Sequence, residues 1–226
     1  LRGDGVGTTG AAVNDGMLRA CFAAAAKGTP SHAYIIEGED AQILRDLSDF
    51  FIKLLLCETN DACGKCLSCR FLAEGGHPDL IRVVPEKAGV IKVDDIRDGL
   101  VADMNIRPYR SRYKIYVVEH AEWMNVQAQN ALLKTLEEPP AYAVILLLAD
   151  NPEALLPTIL SRCVMLRLGP VSDTEIREYL MRQMHVPDYQ AEIEASFAQG
   201  NIGRAKMIAQ SSDFLEMTEN AIRQLK

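Results

Sequence analysis

Four cysteines, Cys57, Cys63, Cys66 and Cys69, form a C-x5-C-x2-C-x2-C array, whereas Cys21 and Cys163 stand apart from it. Four thiolates converging at about 2.3 Å from one ion make a closed tetrahedral site with no position left for a reacting water. The spacing therefore predicts a structural zinc ion. Asp61, Gly64, Lys65 and Ser68, between the cysteines, are small or polar, as a tight metal loop requires. An iron–sulfur cluster is the chief rival, because sets of four cysteines also hold clusters, and four free buried thiols are the plain alternative.

A second constellation is defined by what it lacks. The strand-like run Ala33 to Glu37 ends at Gly38, where a phosphate-binding loop would read G-x-x-x-x-G-K-[ST] and cradle phosphates on backbone amides and a lysine. Here Ile43, Leu44 and Arg45 hold the places of the second glycine, the lysine and the hydroxyl ligand of magnesium. Glu39 and Asp40 add negative charge where phosphates would sit. Such a pocket is expected to bind no ATP. The run Ile115 to Val118 leads into Glu119-His-Ala-Glu122, placed like the acidic end of a nucleotide-binding strand, with His120 in the place of a second acid. Taken alone, Glu119 would be read as a solvated strand-end residue.

These groups need elements to hold them. Apolar, β-branched runs recur at 33–37, 80–84, 115–118, 144–148 and 164–168, with helical patterns between most of them, which predicts a parallel sheet covered on both faces. The clearest helix runs from Asn125, a capping residue, to Glu138, with Ala128, Ala131, Leu132 and Leu136 on one stripe and Pro139-Pro140 as its stop. After Leu168 the strand signal ends. Gly169-Pro170 and the capping-box pattern Ser172 to Glu175 open helical segments at 174–184, 189–199, 202–210 and 214–225. The expected organisation is a disordered or cloning-derived start over 1–16, an α/β domain over 17–168 with a metal insertion at 57–69, and a small helical domain over 169–226.

Composition narrows the function classes. With 226 residues, 48% of them hydrophobic and 24% charged, the chain is long enough to bury a core without disulfides. No apolar run nears the roughly 18 residues of a membrane helix, and the start shows no secretory signal, so cytoplasmic residence is expected. Twenty-four basic against 31 acidic residues, a net charge of −7, argue against a stand-alone nucleic-acid binder. The basic run Arg107 to Lys114 has aromatics interleaved, yet a solvated loop before a strand is the commoner role for such a segment.

Several segments taken together carry a family resemblance. Ala33-Tyr34, the cysteine array, His77 to Leu80, Ile91 to Arg97, Asn130-Ala-Leu-Leu-Lys-Thr-Leu-Glu-Glu-Pro-Pro140 and Leu156-Pro-Thr-Ile-Leu-Ser-Arg-Cys163 resemble, in order, the bacterial clamp-loader branch of the AAA+ proteins. The degenerate loop is more similar to the delta-prime type of DNA polymerase III than to the ATP-hydrolysing gamma/tau type. The resemblance implies an AAA+-like sheet domain followed by a helical lid. It also implies a subunit of a ring-like complex that loads a sliding clamp on primed DNA, with gamma/tau and delta subunits as partners and with clamp and DNA met through the complex. Arg162, in the Ser161-Arg162-Cys163 motif, matches the arginine that such proteins extend into a neighbour's ATP site. Ser161 and Cys163 are expected to shape its turn. Arg204, in Gly200-Asn-Ile-Gly-Arg204, matches a nucleotide-sensing arginine that would approach this chain's own pocket, where it would pair with an acid if that pocket is empty. Asp150-Asn151 falls at the family's polar sensor. Family members carry a third, collar domain, for which this chain is expected to be too short. The expected role is thus a non-catalytic stator. An ATP-hydrolysing gamma/tau-type motor subunit is the alternative, and a zinc-dependent DNA-binding module is a more distant one.

Overall fold

The computed structural model describes residues 16–85 and 89–211. The helical segment expected at 214–225, and all of the expected start except Gly16, lie outside those residues. The described residues fall into two compact units that part between Leu168 and Gly169.

The first unit is built on five strands, β1 (Ala33–Glu37), β2 (Leu80–Val83), β3 (Lys114–Val118), β4 (Ala143–Ala149) and β5 (Val164–Arg167). All pair in parallel, in the order β2-β3-β4-β1-β5. The runs read from β-branched density therefore do form one sheet, and β3 and β4 begin one residue earlier than expected. Its helices are α1 (Gly16–Lys27), α2 (Ala41–Leu56), α3 (Leu67–Ala73), α4 (Val93–Ile96, continued by a more loosely wound turn over Arg97–Val101), α5 (Val126–Glu137) and the single turn α6 (Pro157–Leu160).

Alternation along the strands divides the interior into two cores. Tyr34, Ile36, Ile115, Val117, Val144, Leu146 and Leu148 face Phe22 of α1 and Leu44, Leu47 and Phe51 of α2. Ala33, Ile35, Tyr116, Val118, Ile145 and Leu147 face Ile96, Leu100, Ala128, Leu132 and Leu136. A sheet buried on both faces has no use for polar alternation, which is why the central strands read as continuous apolar runs. Asn125 caps α5 by accepting from Ala128 N at 2.8 Å. Buried Gln129 then ties that helix to the chain leading into α6: its amide donates to the carbonyls of Met124 and Ala154, and its Oε1 accepts from Leu156 N.

In the second unit, α7 (Asp173–Gln183), α8 (Asp188–Ala198) and α9 (Ile202–Gln210) pack through Ile176, Leu180, Ala191, Ala195, Ile202 and Ala205. Ser172 and Glu175 close a capping box at the start of α7. Gly200 joins α8 to α9 at φ +81°, and a Cβ there would stand 2.5 Å from Pro170 Cβ.

Candidate functional site

The cysteine segment is a set of tight turns between α2 and α3, with Asn60, Ala62 and Gly64 in left-handed backbone. Those turns aim backbone amides at sulfur. Cys63 N donates to Cys57 Sγ, Lys65 N and Cys66 N to Cys63 Sγ, and Cys69 N to Cys66 Sγ, at 3.4–3.5 Å. Burial opposes ionisation of Cys57, but the Thr59 hydroxyl and neighbouring amides outweigh it and bring the thiol down to about 6. The Lys65 and Cys66 amides lower Cys63, whereas burial raises Cys69.

All four sulfurs lie within 4.8 Å of one another, and Cys57 Sγ is 3.9 Å from Cys66 Sγ. Thiolates held at about 2.3 Å in a tetrahedron sit about 3.8 Å apart, so the four fit a single ion. A multi-iron cluster spreads its ligands over several metals and needs them farther apart, so the geometry favours one ion over the cluster alternative.

At the carboxyl ends of β1 and β3, where open α/β sheets place ligands, the chain fills its own cleft. Asp40 caps α2: its Oδ1 accepts from Gln42 N at 2.9 Å and Ile43 N at 3.2 Å. A carboxylate of the chain thus sits on the helix N-terminal amides that a bound phosphate would use. Leu44 is buried in the α2-side core, and Ile43 packs against that core. A Cβ at Gly38 would stand 2.9 Å from Leu168 Cδ1 and 3.2 Å from Leu44 Cδ2, so both leucine side chains would have to shift to admit one.

Arg45 turns back and pairs with Glu119 at 2.7 Å. Glu119 also meets Arg82 at 3.5 Å, and Arg82 pairs with Asp49. Glu119 is therefore buried and neutralised rather than solvated. His120, at φ 53°, stacks on Trp123 and places Nδ1 3.2 Å from Glu122 Oε1. Burial, with Asp150 nearby, raises the Glu122 carboxyl above its usual range. What remains of the cleft, lined by Glu39, Ala41, Leu44, Arg45, Glu119, His120, Leu148 and Asp150, is about 30 Å³.

Arg162 follows α6 just before β5. Its Nη1 donates to Thr158 O at 2.9 Å and approaches Ser161 Oγ at 3.3 Å, while Nη2 pairs with Glu137 of α5 at 2.9 Å. Ser161 Oγ donates to Thr158 O, and Cys163 packs against the α5-side core, where burial lifts its thiol to about 12. Arg162 thus rests half-buried, with its side chain 34% exposed, on a carboxylate that is itself 50% exposed. In the second unit Arg204 donates to the amide oxygen of Gln199 and, among the described residues, to no acid. The basic run divides: Lys114 is buried on Asp103 at 2.6 Å, while Arg107, Arg110 and Arg112 stay exposed.

Reading the residues one by one placed Asp40 in the loop but missed its capping role, and missed the parts played by Asp49, Arg82, Asp79 and Glu137. Asp40 had a local signal, an aspartate directly before a helix. The partners of the others are distant in the chain and left none.

A five-stranded parallel sheet in this order, layered between helices and with a cleft at the strand carboxyl ends, defines an AAA+-like fold of the P-loop kind. The chain covers 91% of itself on Thermotoga maritima RuvB at TM-score 0.55 and 14% identity, and 63% of that protein. It also covers 81% of itself on a DNA polymerase III gamma subunit-related protein of the same organism, at TM-score 0.54 and 26% identity, and 58% of that protein. The family model described as DNA polymerase III, delta subunit, matches residues 14–172, and the chain belongs to that family. The relatives include the delta-prime subunit of Pseudomonas aeruginosa, 40% identical over 72% of this chain and 50% of that protein, and delta-prime of Bacillus subtilis, 29% identical over 92% and 62%. The tau subunit of Escherichia coli is 32% identical over 86% of this chain and 30% of its own length. The delta-prime resemblance seen in the motifs is shown by these matches. The chain spans about half the length of the Pseudomonas relative.

Proposed function

We propose that the protein is a non-catalytic clamp-loader subunit of DNA polymerase III, a stator that offers Arg162 in trans to the ATP site of a neighbouring subunit. The observation that carries this reading is the self-filled cleft. Asp40 occupies the helix N-terminal amides, and Arg45 occupies the acid at the end of β3, so phosphate and magnesium find their places taken. A chain that spends its own charges there contributes positioning and electrostatics to a neighbour rather than a chemical step. A guanidinium supplied across an interface stabilises charge on a transferring phosphoryl group, an effect worth about 10³–10⁵ in rate.

In this reading Cys57, Cys63, Cys66 and Cys69 hold one structural zinc ion, which keeps the turns between α2 and α3 folded and supplies no reacting water. The partners are gamma/tau and delta subunits, with the sliding clamp and primed DNA reached through the complex. Calorimetric titration of the full-length folded protein with magnesium-ATP tests the core of the reading. No heat up to about millimolar nucleotide, the weak end of ordinary binding, is the expected result. The tau relatives keep a second reading in view, that of an ATP-hydrolysing motor subunit. Micromolar binding would refute the empty-pocket stator and promote the motor reading over it.

A further inference from the structure

The loop between α4 and β3 presents Arg107, Tyr109, Arg110 and Arg112, all exposed, in a chain whose net charge is −7. The cysteine segment nearby mixes Glu58, Asp61 and Glu74 with Lys65 and Arg70 and adds no positive excess of its own. Among the described residues none of the three arginines makes an ion pair. Arg110 lies over the Phe71 ring at 5.8 Å and Arg112 over Tyr113 at 5.1 Å. A ring neighbour offers a guanidinium no carboxylate, which leaves its N–H groups available to an anion.

The backbone beneath them is fixed. Asp79, fully buried, accepts from the amides of Tyr109, Arg110 and Ser111, and Ser111 Oγ lies 3.4 Å from His77 Nε2. The Tyr109 side chain nevertheless projects from a residue that is 88% exposed, and among the described residues its hydroxyl has no hydrogen-bond partner. An aromatic ring held out in water on a pinned loop, between arginines that make no ion pair among the described residues, presents a stacking face and phosphate forks on a backbone whose ordering cost is already met within the fold.

We propose that residues 107–112 are a contact surface for single-stranded nucleic acid, with the arginines on backbone phosphates and Tyr109 stacked on an unpaired base. A duplex hides its base faces, so the exposed ring selects the single strand. The surface lies at the amino end of β3, opposite the cleft, and its role is independent of the one given to Arg162.

The test is fluorescence anisotropy of a labelled oligothymidylate of about 25 nucleotides, long enough for several such sites, with the full-length protein across a salt series. At about 50 mM salt the wild type should bind weakly, with a dissociation constant of about 10–100 μM. The R107Q/R110Q/R112Q variant should lower the slope of log K against log salt by about 2, from about 0.7 per phosphate contact. Y109A should weaken binding about tenfold and Y109F should restore it, while a duplex of equal length should be indifferent to Y109A. Each variant must melt at the wild-type temperature, as exposed positions allow. Failure of the wild type to bind the strand, or an unchanged slope in the triple variant, overturns the proposal. So does a triple variant that keeps the strand but loses a protein partner, which would assign the loop to an acidic protein surface.

Discussion

Replacing Arg45 by methionine tests whether the cleft is held shut by its own charges. The variant keeps most of the aliphatic stem against the sheet and removes only the guanidinium. Glu119, with its side chain 8% exposed, then depends on Arg82 at 3.5 Å in place of Arg45 at 2.7 Å. Losing one partner of a fully buried pair costs about 3–5 kcal/mol, and losing one of an exposed pair about 0.2–1 kcal/mol. Arg45 is 42% exposed and Arg82 remains, so the expected loss lies between these limits, at about 1.5–2 kcal/mol. For a chain of this size that lowers Tm by about 3–8 °C. Urea denaturation should show the midpoint falling with m unchanged. R45M and E119Q, combined in a double-mutant cycle, should show a coupling of about 1 kcal/mol or more. A coupling below about 0.3 kcal/mol, the ordinary additivity error, would refute the argument that this pair replaces a ligand. R45M should also remain unable to bind magnesium-ATP, because Asp40 still holds the amides of Gln42 and Ile43.

Other expectations concern separate parts of the molecule. Metal analysis of the purified protein should find about one zinc per chain, and chelation should raise hydrogen exchange over residues 57–73 while the sheet stays protected. In a reconstituted complex, R162A should fold normally and lower ATP turnover by about 10³, and R162K should not rescue it, because lysine lacks the planar fork. E137Q, which removes the carboxylate that now holds Arg162 at 2.9 Å, should change turnover by less than about tenfold, since it leaves the guanidinium in place. Glu194 is fully buried in α8, with Oε1 on Gln190 and Oε2 without a partner among the described residues, and burial raises its carboxyl. Its folded pKa exceeds its unfolded one, so ionisation costs stability above the folded value and the cost disappears as pH falls through it. E194Q should therefore raise Tm at about pH 8 and lose that gain near about pH 4, where the unfolded carboxyl titrates; equal shifts at both would sink the idea.

The expectations that the structure altered concern pairing across space. The basic run looked like one solvated loop, but Lys114 belongs to β3 and its ammonium is buried on Asp103, while Asp79 turns the remainder into a pinned surface. Glu119, which taken alone reads as a solvated strand end, is the centre of an ion-pair chain. Arg204 was expected to find an acid and found the Gln199 amide.

What the chain alone determined is local. β-branched density marked all five strands, Asn125 and Ser172 marked helix starts through their side-chain oxygens, and the cysteine spacing marked a four-thiol site. Each depends on neighbours a few residues apart, so its signal survives in a string of letters. The tertiary structure alone decided that Arg45 meets Glu119, that Asp79 grips residues 109–111 and that Glu137 receives Arg162. These partners are joined only by strand order and by the helices that cross between strands. The free energy that selects such pairs is the burial of charge beside a counter-charge, which a side chain acquires only after the sheet has assembled and excluded water.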